Sequence, residues 1–165
     1  MSTFESPSLA DVLRHAAAAW QIFRSGRSLD RAMIAALADH PALRPAVQDV
    51  LYTAVRHLAG SERIVERLAS RPPAADVAAL LAVALAQLQT GRHSEYTVVD
   101  QAVSAAQFSP QTRPAAGFIN ALLRNFLRQR EGLMAELQRD ATVRYNLPPW
   151  WIDHLRHDFP RDWTT

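Results

Sequence analysis

Residues 74–91, AADVAALLAVALAQLQTG, place apolar side chains nearly all the way round a helical projection. The run shows no strand-like alternation, and its Ala, Leu and Gln are strong helix formers. A helix that is apolar on every side has to be buried on every side, so other elements must surround it. This stretch therefore predicts a helical bundle with residues 74–91 as its central member. Asp76, Gln87 and Gln89 keep it short of the uninterrupted ~18–20 apolar residues that a membrane span needs.

The segments on either side repeat the helical pattern. In SPSLADVLRHAAAAWQIFRSG, Ser8 is placed to cap a helix, Asp11 supplies a first-turn carboxylate and Gly26 suits the exit. Leu9, Val12, Leu13, Ala16, Trp20 and Phe23 fall on one face of it. SLDRAMIAALADH follows, capped by Ser28 and stopped near Pro41. ALRPAVQDVLYTAVRHLAG turns Val47, Val50, Leu51, Ala54, Val55 and Leu58 inward and is expected to end at Gly60. SERIVERLAS then reads as a short helix capped by Ser61 and halted by Pro72-Pro73. In TVVDQAVSAAQF, Thr97 and Asp100 form a capping-box-like pair. No segment sustains strand alternation, so the expected class is all-α.

The 165 residues are 48% hydrophobic, enough for one domain with a sizeable core. MSTFESPSLADV has no hydrophobic signal core, which predicts a cytoplasmic protein. There is no cysteine, which excludes disulfides, thiolate zinc sites and cysteine nucleophiles together. All 18 basic residues are arginine, against 16 acids, a formal charge of +2. The pI of 9.6 reflects guanidinium pKa values above ~12, not a large excess of cations. Any nucleic-acid surface must therefore arise from local clustering. Residues 113–144 hold six arginines against three acids, whereas residues 61–112 hold four against five.

That basic region contains GFINALLRNFLRQR, residues 117–130. Phe118, Ile119, Leu122, Leu123, Phe126 and Leu127 read as a core face. Asn120, Arg124 and Arg128 recur every four residues on the other side, with Arg113 before the helix and Arg130 at its end. Guanidinium forks match phosphate oxygens, so this row can track a nucleic-acid backbone. The same pattern also fits a solvated side with arginines drawn to the helix C-terminus, and Asn120 equally fits a polar group fixing a loop. Arg14 and Arg27, from the first helix region, are candidate additions to the surface.

His154 and His157 lie three apart but lack a third ligand, so they read as a surface pair, and no metal is expected. No Gly-x-Ser-x-Gly elbow, phosphate loop or strand–glycine–helix unit is present, so no residue is assigned a catalytic or cofactor-binding role. From residue 145 the character changes. YNLPPWWIDHLRHDFPRDWTT holds three of the four tryptophans, Pro148 and Pro149 can open a helix, and Trp150, Trp151, Leu155 and Phe159 give it an apolar side. Such a tail is expected to pack on something further along a longer protein.

AVRHLAGSERIVERL, TVVDQAVSAAQ and above all GFINALLRNFLR resemble the NusB-like domain. This helical RNA-binding fold is found in transcription antitermination factors and at the N-terminus of the RsmB (Sun/Fmu) family. AAAAWQIFRSGRSLDRAM and YNLPPWWIDHLRHDFPRDW are more similar to RsmB proteins, which are ribosomal RNA cytosine-C5 methyltransferases. The chain departs from RsmB proteins at YTAVR, where they usually carry glycine, and at Asp100, where they usually carry Asn. The resemblance implies a NusB-like RNA-binding domain over residues 1–144, and the start of a linker over 145–165. The family's catalysis lies in a separate domain that binds S-adenosylmethionine and uses two cysteines. This chain, having none, is expected to be non-catalytic by itself. Its expected partners are small-subunit (16S) ribosomal RNA and its own C-terminal methyltransferase domain. The alternative is a NusB-type antitermination factor binding RNA and a protein partner.

Overall fold

The computed structural model describes residues 6–164, so the first five residues of the amino-terminal stretch lie outside it. Among the described residues every regular element is helical, and the all-α expectation holds. The helices are α1 (Leu9–Arg24), α2 (Leu29–Ala36), α3 (Arg44–Arg56), α4 (Leu58–Leu68), α5 (Ala75–Thr90), α6 (Glu95–Phe108), α7 (Ala116–Leu137), α8 (Ala141–Tyr145) and α9 (Pro149–Asp158). Short 3-10 turns at Pro41–Leu43 and Arg113–Ala115 lead into α3 and α7.

The bundle is built round α5, as its composition demands. Val77 and every residue from Ala79 to Leu88 are buried. Gly91 ends the helix in the left-handed region at φ 66°, which favours a residue without Cβ. Helices α1, α3, α4, α6 and α7 all pack on α5. The end of α1 meets the start of α5 through Gln21, whose Nε2 donates to Asp76 Oδ1 at 2.9 Å. Leu13 from α1, Leu51 from α3, Ile64 from α4 and Ile119, Leu123 and Phe126 from α7 are fully enclosed around it. Each such side chain contributes about 1.5–3 kcal/mol relative to exposure.

Four local expectations are corrected. Gly60 does not end a helix, and Ser61 caps nothing. The chain instead breaks at His57, and α4 starts at Leu58, so both residues lie inside it and are buried. The cap for this junction comes from far away. Asn146 accepts the Ala59 N–H at 3.0 Å and donates to the Val55 carbonyl at 2.9 Å. One side chain thus serves the start of α4 and the end of α3. Second, α6 begins at Glu95, and its cap is Ser94, which accepts the Thr97 N–H at 3.1 Å; Thr97 and Asp100 lie within the helix.

Third, α7 does not stop near Arg130 but runs to Leu137, so Arg124 and Arg128 sit mid-helix, outside the reach of the C-terminal dipole. Fourth, Phe118 is 38% exposed and stands at the edge of the core. In the tail, Pro148 and Pro149 open α9 as expected. Its inward residues, however, are the buried Ile152 and half-buried Leu155, while Trp150, Trp151 and Phe159 are exposed. Trp163 folds back against Tyr145, with ring centroids 5.5 Å apart.

Candidate nucleic-acid interface

Helix α7 presents one long side to solvent because its core residues recur at three and four. Asn120 is half-buried on the margin of that side, and its Oδ1 accepts from Arg124 Nε at 3.1 Å. The pair fixes the guanidinium by its inner nitrogen and leaves the two outer ones facing water. Arg128, one turn on, is exposed and bonds to no described side chain. Arg113 stands just ahead of α7, in the 3-10 turn. Its Nε donates to the Gln107 carbonyl at 2.9 Å, which again orients a fork that points outward.

Of the remaining arginines of the basic region, Arg139 is exposed and bonds to no described side chain, whereas Arg130 and Arg144 are engaged. Arg130 is half-buried on the inner side of α7. Its Nη1 meets Glu95 at 3.2 Å and its Nη2 donates to the Gln89 carbonyl at 3.5 Å. It therefore ties α7 to the start of α6 and the end of α5. Arg144 lies over Tyr145, 5.4 Å from its ring centre. Asp140 takes Arg63 at 3.2 Å, and Glu136 pairs with Arg67. Local charge in the sequence thus overstates the free cations on the surface. Arg128 also faces a groove of about 890 Å³ between α4 and α7 lined by Glu66, Glu131 and Glu136 together with Arg67, so that, with Arg128 counted, acids outnumber cations there by one.

The two additions from the first helix region part company. Arg14 lies beside Phe108 at the end of α6, with Cζ 4.1 Å from the ring centroid, and pairs with Asp11 at 3.3 Å. Asp11 is held below the usual carboxylate range, first by its hydrogen bond from Ser8, partly offset by burial, and then by Arg14. Arg27 stands in the turn after α1. The ten residues from Arg14 to Arg24 alone span about 15 Å along the helix, so Arg27 belongs to a different part of the surface.

Phe108 and Asn146 were missed in the sequence. Nothing local singles out Phe108 or marks Asn146 as a cap. An apolar cleft of about 760 Å³ between α1, α4 and α5 includes Trp20, Val65 and Pro72 and none of the predicted surface residues. Among the described residues no group of three His, Cys, Asp or Glu is placed to hold a metal, and no helix is long and apolar enough to cross a membrane. His154 lies edge-on to Trp150 at 6.2 Å. The five glycines lie at 26, 60, 91, 117 and 132, and among the described residues none follows a strand.

Residues 8–128 match the NusB family. Ribosomal RNA small subunit methyltransferase B of Vibrio cholerae is 32% identical over 154 residues, covering 90% of this chain and 35% of that protein. The protein of the same name in Pseudomonas syringae pv. tomato is 32% identical over 124 residues, 73% of this chain and 27% of its own length. A probable ribosomal RNA small subunit methyltransferase B of Coxiella burnetii is 28% identical over 120 residues, 71% of this chain and 28% of that protein. The chain thus spans roughly a third or less of these relatives. With helices wrapped round a buried α5 and a match reaching from α1 into α7, the chain belongs to the NusB family.

Proposed function

We propose that this chain is the RNA-engaging, non-catalytic domain of a small-subunit ribosomal RNA cytosine-C5 methyltransferase. The observation that carries the reading is the alignment of 90% of the chain with about a third of a ribosomal RNA small subunit methyltransferase B. The absence of cysteine fits it, because thiolate chemistry then belongs to a linked domain that also takes S-adenosylmethionine. We place the start of the linker at residue 145. The whole protein works in the cytoplasm, where its RNA is made.

In this reading Arg113 and Arg124 contact phosphates, with Asn120 positioning Arg124. Phosphate contacts hold and orient the RNA without reading its sequence. Tethering then raises the concentration of RNA seen by the linked domain. The test is to titrate small-subunit RNA fragments with the chain and with a double variant, Arg113→Ala and Arg124→Ala, at several salt concentrations. Each lost phosphate contact removes about one released counterion, so the variant binds more weakly and with a shallower salt slope. A folded double variant with unchanged affinity and slope would eliminate this surface.

A further inference from the structure

Phe108 is the last residue of α6, and 64% of its surface is exposed. Its setting differs from that of a stray surface apolar residue. Arg14, reaching across from α1, lays its guanidinium over one face of the ring at 4.1 Å. That guanidinium is held in turn, because Arg14 Nη2 meets Asp11 Oδ1 at 3.3 Å and Ser8 Oγ donates to Asp11 Oδ2 at 2.7 Å. With one face covered and most of the ring in water, the opposite face is open.

A second guanidinium is fixed beside it. Arg113 Nε donates to the carbonyl of Gln107, the residue directly before Phe108. Its two outer nitrogens bond to no described residue. An open aromatic face backed by one cation and flanked by another matches what a single-stranded nucleotide offers, a flat base next to a phosphate. The backing cation adds its own attraction to the ring, which keeps the ring in place when no base is present.

We infer that Phe108, supported by Arg14, is a stacking platform for one unpaired base of RNA, with Arg113 taking the adjoining phosphate. This rests on the RNA-binding reading above and deepens it, since it specifies the substrate as a single-stranded loop or end. In a duplex the base faces are occupied by their neighbours and are not free to stack on a protein ring. All three polar contacts that orient the site are formed within the fold, so the platform needs no rearrangement to receive a base.

The test compares the chain with Phe108→Leu, Phe108→Tyr and Arg113→Gln. The probe is an unstructured oligoribonucleotide of about ten nucleotides, inside the usual range of site sizes, and the same strand paired with its complement. The expected result is a preference for the single strand. Phe108→Leu lowers single-strand affinity about tenfold with an unchanged salt slope, while Phe108→Tyr retains it. Arg113→Gln instead makes the slope shallower by about one ion. Because Phe108 is largely exposed, circular dichroism should find all three variants folded. If Phe108→Leu binds the single strand as well as the parent chain does, or if the duplex binds equally well, the platform is overturned while the RNA reading stands. If the parent chain binds neither probe, both fail.

Discussion

The Asn146 side chain bonds to α3 and α4 at once, donating to the Val55 carbonyl and accepting the Ala59 N–H across gaps of 91 and 87 residues. It does so from a left-handed backbone conformation, φ 52° and ψ 42°, at the end of α8. Asn146→Ala should cost about 2–3 kcal/mol, combining two lost hydrogen bonds with the penalty of a Cβ residue in that conformation. Asn146→Gly loses the same bonds but keeps the backbone at ease, so it should be about 1 kcal/mol less damaging. Urea unfolding of the two variants measures the difference. Equal losses would mean that the conformation contributes nothing.

Stability should fall as pH drops below about 7. Burial, its largest cause, holds His15 below its ordinary value, partly offset by the Asp11 carbonyl that accepts from Nδ1 at 2.9 Å. Arg14 and the ring of His40, edge-on at 4.9 Å, disfavour a charge there further. His57 is likewise depressed, first by burial and also by the charge of Arg56, against an opposing hydrogen bond with Gln89. A depressed histidine takes up its proton more readily unfolded, so its contribution is complete above the ordinary value of about 6.5 and shrinks below it. Melting temperatures between pH 7.5 and 5.5 should decline, less steeply in His57→Gln. A rise towards acid would refute the assignment.

Gln87 sits in α5 with 1% of its surface exposed, and neither its Nε2 nor its Oε1 finds a hydrogen-bond partner among the described residues. An unpaired buried amide is costly, whereas an apolar side chain of similar length is at home there. Gln87→Met should therefore stabilise the chain by roughly 1 kcal/mol, read as a higher urea midpoint with an unchanged slope. A loss of the same size would mean that the amide is paired in solution.

Within the arginine row, position should outweigh proximity in sequence. Arg124→Ala should weaken RNA binding and reduce the salt slope by about one ion, whereas Arg128→Ala should do so less, because Glu66, Glu131 and Glu136 share its groove. Arg27→Ala should leave both unchanged. Titration of small-subunit RNA at several salt concentrations separates the three, and a dominant effect of Arg27 would move the surface to the α1–α2 turn.

The central helix was legible because its composition left it only one place to go, and Ser8, Ser28 and Gly91 mark helix ends through contacts within a few residues. What the sequence concealed was non-local. The break at His57 is stabilised by Asn146, so Gly60 and Ser61 seemed to be the boundary. The six arginines of residues 113–144 looked alike until Glu95 was found on Arg130 and an acidic groove beside Arg128. Phe108 could not be singled out, because its meaning comes from Arg14, which lies 94 residues away in sequence and across a helix interface.

The placement of the tryptophans divides the chain optically. Trp20 is 5% exposed, whereas Trp150 and Trp151 are 59% and 47% exposed on α9. Native emission then comes largely from indoles already in water, and unfolding would shift chiefly the signals of Trp20 and of Trp163, half-buried against Tyr145. A fluorescence titration of this chain therefore watches its tail, and anything that covers α9 would announce itself as a blue shift while the core stays dark to it.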